Sequence, residues 1–157
     1  MTAGAELAPG ERVIRSWTVR FSGDANSRAA SGELTLTNRR LVFTAKSGLF
    51  GRSRTASPVS SVPLEGIGGG APHPTEMRIG YGDRMVLDGV EIGGATYELG
   101  RERRSREILE AVATARRARR VELGLSDDIS PCRSCGRWGA AGTSLCEGCA
   151  RAQKAPT

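Results

Sequence analysis

The sequence is poor in aromatic residues and contains a single histidine. Phenylalanine, tryptophan and tyrosine together make up 4% of the 157 residues, so the core must rely on valine, isoleucine, leucine and alanine. His73 has no second histidine to work with, which argues against a catalytic triad or a histidine metal site. Gly66 to Gly70 is glycine-rich, but no Lys-Ser or Lys-Thr pair follows it, as a phosphate-binding loop requires. We therefore expect a protein that is not an enzyme and has no small-molecule substrate.

Long apolar runs are also missing. No stretch approaches the roughly 20 apolar residues that a membrane-spanning helix needs. The N-terminus (MTAGAELAPGERV) lacks the basic stretch and apolar core of a secretory signal. These absences predict a cytoplasmic location, where cysteines stay reduced.

The sequence instead contains short alternating segments followed by one long helical segment. RVIRSWTVRFS, ELTLT and RLVFTA alternate apolar and polar residues, and such segments predict about seven short strands. Residues 101–123 contain neither glycine nor proline and have apolar residues at helical spacing, which predicts an amphipathic helix that ends at Gly124. The fold class is therefore mainly β, of the α+β type, with antiparallel strands and a C-terminal helix. We predict a domain at 9–123, a polar linker at 124–131 and a separable cysteine module at 132–151.

The segment from Gly32 to Phe43 (GELTLTNRRLVF) has the most characteristic pattern of the chain. It resembles the second hairpin of the pleckstrin-homology superfamily, in its GRAM-like and prokaryotic branches, where GxLxLTNxRLxF is common. PGERV at 9–13 and PLEGI at 63–67 resemble two further segments of these domains. The resemblance covers roughly residues 9–122 and implies a PH-like split barrel of about seven antiparallel strands capped by the helix. Domains of this superfamily bind phosphoinositides, peptides or proteins, or act as scaffolds.

Basic residues are concentrated in the predicted helix. Residues 101–123 hold 8 basic and 4 acidic residues, which accounts for most of the net charge of +6. Lipid-binding PH-like domains have several basic residues in the first loop, whereas the loop at 23–32 offers only Arg28 beside Asp24. We therefore expect most of these charges to be solvated rather than to form a phosphoinositide site. The candidates for an anion or partner patch are Arg39, Arg40, Lys46, Arg52, Arg54, Arg116, Arg117, Arg119 and Arg120.

The four cysteines follow the spacing C-x2-C-x10-C-x2-C and are Cys132, Cys135, Cys146 and Cys149. Two such turns can bring four thiolates to one ion in a closed tetrahedral site, which predicts one structural zinc. An iron–sulfur cluster is compatible with the same spacing. Two disulfides would suit a secreted chain, and a redox pair would need a thioredoxin-like context. The segment resembles the short zinc ribbons appended to many bacterial and archaeal proteins, although Arg133 and Ala150 depart from their pattern.

Two residues near the cysteines have further expected roles. Gly136 follows the second cysteine, where a left-handed residue often finishes the turn. Trp138 is expected either to cover the metal site or to be an exposed contact residue; covering is the more common outcome in a module with so little core.

Three functions follow from these features. The first hypothesis is an interaction adaptor, in which a PH-like platform and a zinc ribbon bind partner proteins. The second is nucleic-acid binding through the arginines of the helix and the ribbon, although the chain has no row of aromatic residues for stacking bases. The third is peripheral contact with an anionic membrane surface, for which the alanines of the helix are poorly suited.

Overall fold

The computed structural model describes residues 6–22, 30–45, 58–79, 83–93, 95–100 and 104–154. In these residues the chain forms ten strands, two α-helices and a short 3-10 helix, Leu64–Gly66. The strands are β1 Val13–Ser22, β2 Ala30–Thr37, β3 Arg40–Ala45, β4 Pro58–Pro63, β5 Gly70–Pro72, β6 Thr75–Ile79, β7 Asp83–Ile92, β8 Ala95–Gly100, β9 Ile129–Pro131 and β10 Trp138–Ala140. The helices are α1 Ser105–Glu122 and α2 Glu147–Lys154.

The large sheet is antiparallel throughout. Seven strands lie side by side in the order β4-β3-β2-β1-β8-β7-β5, and β6 pairs with the first half of β7. Strands β9 and β10 form a separate two-stranded sheet. Within the described ranges no ladder joins β4 to β5 or β6, so the sheet is not closed into a barrel. The prediction of a mainly β, α+β fold with about seven antiparallel strands and a C-terminal helix is confirmed.

The hairpin of β2 and β3 pairs its apolar residues with one another. Leu34 pairs with Phe43, and Leu36 pairs with Leu41. All four side chains are buried. They alternate with residues on the opposite face because successive side chains of a strand point to opposite sides of the sheet. The hairpin therefore supplies one continuous apolar surface to the core.

The turn of this hairpin is locked to the segment before β1 by a buried carboxylate. Glu11 accepts a hydrogen bond from the Thr37 hydroxyl at 2.7 Å and pairs with the Arg40 guanidinium at 2.8 Å. Asn38 accepts a hydrogen bond from the Arg12 N–H at 2.8 Å and donates one to the Gly10 carbonyl. The PGERV and TNRR segments are thus two halves of one hydrogen-bonded network.

Helix α1 packs on the sheet through its apolar face. Ile108, Leu109 and Val112 are fully buried and belong to the same core cluster as the hairpin leucines. As predicted, the helix ends at glycine: Gly124 has a φ of +73°, which glycine adopts without strain. The Leu125 N–H reaches back to the Arg120 carbonyl at 2.7 Å, and this contact closes the last turn.

The structure differs from the sequence prediction around β7. The sequence pattern predicts two separate strands here, at 84–88 and 90–99, with Gly89 between them. Instead Asp88-Gly89 is an irregularity inside one strand, where the register shifts between Asp88 and Gly89. A Cβ on Gly89 would lie 2.5 Å from the His73 carbonyl oxygen, so the glycine allows a close approach of two backbones.

Four further elements differ from prediction. The strand β5 lies in the glycine-rich stretch predicted as a loop, and α2 was not predicted. Strand β9 lies in the predicted linker, where it pairs with β10. Helix α1 begins at Ser105 rather than at residue 101, and the Ser105 N–H donates to the Asp88 carboxylate at 3.2 Å. Strands β5 and β9 have three residues each and are too short to be visible as patterns; β5 pairs with β7, and β9 pairs with β10.

Candidate metal centre and binding groove

The fold brings the four cysteines together. Their sulfur atoms all lie within 4.8 Å of one another, and none of the four forms a disulfide. The Sγ atoms of Cys135 and Cys146, one from each CxxC turn, are 3.6 Å apart. The hairpin of β9 and β10 carries the first turn, and the second leads into α2.

The cluster fits a tetrahedral metal site. A Zn–S distance of about 2.3 Å implies sulfur–sulfur edges of about 3.8 Å, close to the separation of Cys135 and Cys146. The donor set consists of four sulfurs, which suits a soft or borderline metal such as zinc. Four protein ligands leave no position for water or substrate, so a metal held here has a structural role.

The surroundings of the four cysteines shift their pKa values in opposite directions. Burial raises the pKa of Cys132, but N–H groups from Cys146 and Cys135 outweigh burial and lower that pKa to about 6. Burial raises the pKa of Cys135 to about 12. The pKa of Cys146 is lowered, chiefly by the backbone N–H of Cys149, while hydrogen bonding with Cys146 raises the pKa of Cys149. A divalent cation bound by four thiolates would release the protons that remain on the cluster.

Gly136 completes the first turn as predicted. Its φ is +78°, in the left-handed region, and its N–H donates to the Cys132 carbonyl at 2.8 Å. The residue is buried against α1: a Cβ there would lie 3.5 Å from Leu109 Cδ1 and 3.6 Å from Arg106 Cα. The first CxxC turn therefore directly contacts α1, which belongs to the large domain at residues 9–123.

Trp138 lies in the core rather than on the surface. Its side chain belongs to the cluster that includes Leu109 and the hairpin leucines. The indole N–H donates to the Leu109 carbonyl at 3.3 Å. The ring also faces Gly70, where a Cβ would lie 3.0 Å from Trp138 Cε2. The alternative of an exposed contact residue was wrong, and these contacts cross the predicted linker at 124–131.

The arginines of α1 are paired rather than solvated, contrary to our expectation. Arg116 is the most deeply buried: its side chain is 3% exposed, and it donates to the Ile67 carbonyl and to Asp128 at 2.8 and 2.7 Å. The Arg116 guanidinium thus joins α1 to Ile67, which precedes the helix in the sequence, and to Asp128, which follows it. Because it is buried, a phosphate cannot reach it.

The other three arginines of this group also have partners. Arg117 pairs with Asp127 at 2.8 Å. Arg119 pairs with Glu122 at 3.1 Å and lies 3.7 Å from Glu65. Arg120 donates to the Ser126 carbonyl at 2.7 Å. The basic helix face is therefore largely neutralised by Glu65 and by the segment that follows the helix.

The remaining described patch candidates, Arg39 and Arg40, have neighbours of their own. Arg40 is bound to Glu11, and the guanidinium of Arg39 lies against Gly10. Lys46, Arg52 and Arg54 lie outside the described residues.

A groove that the sequence did not reveal lies between the start of β1 and α1. Its volume is about 900 Å³. Ile14 is the extra residue where the register of β1 shifts, and its side chain is 47% exposed at the groove. The opposite wall includes Ala111 and Ala115, and Arg15 and Glu107 at the rim pair with each other at 2.7 Å. The groove thus has apolar walls, and Arg15 and Glu107 at its rim already pair with each other.

No protein-family description matches the chain, and no curated protein matches it. In the part of the chain that the structure describes, no helix is long and apolar enough to cross a membrane.

Proposed function

We propose that the chain is a non-enzymatic adaptor: a PH-like platform that binds a partner protein and carries one structural zinc. The PH-like assignment is supported by the antiparallel sheet, its C-terminal helix and the hydrogen-bonded PGERV and TNRR segments. The zinc assignment is supported by the four sulfurs within 4.8 Å of one another.

The groove between β1 and α1 is the observation that carries the proposal. Its exposed isoleucine and its alanines offer apolar surface, which an apolar segment of another protein would bury. At its rim, Arg15 pairs with Glu107 and Arg106 pairs with Glu110 at 2.9 Å, so no unpaired charge selects a phosphate there. The preferred ligand is therefore a protein segment with apolar side chains and little net charge.

The arginine pairing weighs against the two alternative functions. A nucleic acid or an anionic membrane would have to displace Asp127, Asp128 and Glu65 from α1 before it could use these guanidinium groups. Each displaced ion pair subtracts from the electrostatic gain of binding.

The test is partner capture followed by measurement with purified components. A partner identified with the wild-type protein is titrated against Ile14→Asp and Ala118→Arg, both of which change the groove. Val121→Asp is the matched control, because Val121 is an exposed apolar residue of α1 outside the groove. We expect at least about tenfold weaker binding for the groove variants, as one buried apolar contact is worth more than about 1.4 kcal/mol, and no change for the control.

Two results would overturn the adaptor proposal. One is a partner that binds both groove variants as tightly as the wild type. The other is binding of duplex or single-stranded nucleic acid with a dissociation constant well below about a micromolar at physiological salt. In the second case, loss of binding when Arg116, Arg117, Arg119 and Arg120 are changed to Ser would assign it to the helix.

A further inference from the structure

The metal-binding segment, residues 132–151, has few buried side chains of its own. Among its described residues only Cys132, Gly136 and Trp138 are buried, and α2 buries none of its side chains. Small metal modules of this kind obtain most of their folding energy from the ion. Here a second source exists, because one of the three buried residues, Trp138, packs into the core of the large domain.

Helix α1 contacts the first CxxC turn at two points. Arg106 donates from Nη2 to the Arg133 carbonyl, inside the turn, at 2.6 Å. Gly136, which ends the turn, packs against Arg106 and Leu109. Both contacts come from the large domain, and neither involves a sulfur atom.

The same turn leads directly into β10, whose Trp138 packs into the core of the large domain. Trp138 is three residues after Cys135, and it contacts Gly70 of β5 and Leu109 of α1. On the other side of the turn, Ile129 of β9 packs against the core cluster. When the first turn adopts the geometry that suits a metal, it therefore also places Trp138 between Leu109 and Gly70.

We propose that the metal centre and the large domain are one thermodynamic unit, in which α1 acts as an outer support of the metal site. Arg106 and Leu109 are positioning residues: they hold the first CxxC turn, and Trp138 transmits the connection to the core. Because coupling between two binding events is reciprocal, metal binding stabilises the large domain, and docking of Trp138 tightens metal binding.

The chain offers a built-in reporter for the first half of this proposal. It has two tryptophans, and Trp17 is buried in the core on β1. In a Trp138→Phe protein, Trp17 is the sole tryptophan, so its emission follows unfolding of the large domain alone. We expect added zinc to raise the unfolding midpoint that Trp17 reports in Trp138→Phe, and to raise it much less in Trp138→Ala.

The second half is measured as metal affinity. Zinc is titrated in competition with a chromophoric chelator, and cobalt spectra check that each protein still forms a tetrahedral thiolate site. Relative to Trp138→Phe, we expect Trp138→Ala to bind zinc at least about tenfold more weakly, because a large apolar contact is lost. Adding Arg106→Gln to Trp138→Phe removes the charged hydrogen bond to the Arg133 carbonyl, together with the exposed ion pair to Glu110, and is expected to weaken zinc binding about fivefold. This double variant also keeps the test decisive if Trp138→Ala fails to fold.

The control is Arg151→Gln in the Trp138→Phe background. Arg151 lies on α2 in the metal-binding segment, but its exposed side chain pairs with Glu147 and not with the large domain. We expect it to leave zinc affinity unchanged. Zinc uptake with no movement of the Trp17 transition would overturn the coupling alone, as would equal affinity in all variants. Failure of the wild type to take up metal would overturn the zinc assignment as well.

Discussion

The buried carboxylate of Glu11 makes the stability of the large domain depend on acid pH. Burial raises the pKa of Glu11, but hydrogen bonds from Arg40, the Ala8 N–H and Thr37 outweigh burial and lower the pKa from 4.5 to about 2. Each pKa unit corresponds to about 1.4 kcal/mol, so the ionised carboxylate contributes roughly 3 kcal/mol to folding. The pKa is lower in the folded state, so this contribution is complete above about pH 5 and is lost as the pH falls toward 2.

The perturbation is Glu11→Gln, which removes the charge and keeps the shape. We expect the free energy of unfolding at pH 7 to be roughly 3 kcal/mol lower than that of the wild type. The difference should shrink toward zero between pH 5 and pH 2, because the wild-type carboxyl becomes protonated there. The assay is urea unfolding followed by tryptophan emission at several pH values.

Acid also protonates the thiolates, so the informative quantity is the difference between wild type and variant at each pH. Any bound metal would be lost from both proteins in the same range, and that effect would cancel in the difference. Glu91→Gln is the control, because Glu91 is an exposed carboxylate on β7 and its substitution should change little. A Glu11→Gln difference that stays constant from pH 7 to pH 2 would refute the electrostatic reasoning.

Three further predictions concern the metal, the docked segment and the hairpin. Purified protein should contain about one equivalent of zinc, and Cys146→Ser should lose it because only three sulfurs remain; retention of full zinc would contradict the site. A chain ending at Leu125 lacks the docked tryptophan and should melt about 10 °C or more below the full chain in calorimetry; an unchanged midpoint would mean that docking adds no stability. Gly32→Ala should lower the free energy of unfolding in urea by about 3 kcal/mol, since its Cβ would lie 2.2 Å from the Thr44 carbonyl oxygen, whereas alanine at the open position Gly68 should cost far less.

Features that depend on local pattern were predicted from the sequence. Apolar and polar residues alternate along β2 and β3, and that alternation places Leu34 and Phe43 on the buried face. The spacing of the cysteines predicted a four-sulfur cluster, because each CxxC turn brings its two sulfurs together over four residues. Helix α1 and its glycine end were predicted for the same reason, since helical periodicity and glycine at the C-terminus are local signals.

Partnerships between distant segments were not predictable. The helix arginines have the composition of a solvated basic face, yet Arg116 is buried because Ile67 and Asp128 lie on either side of it. Asp88-Gly89 has the composition of a turn but lies within a strand, because the His73 backbone passes close to it.

The sequence by itself determined the class of the fold, the hairpin, the helix and the four-cysteine cluster, since each depends on residues near one another in the chain. Tertiary structure alone decided which arginines form ion pairs, where the groove lies and that Trp138 packs into the core. Ile14 reaches the groove through an irregularity in β1, and Trp138 is buried only because Gly70 leaves room beside Leu109. A side chain's exposure depends on what packs against it, and segments far apart in sequence supply those contacts only once the chain has folded.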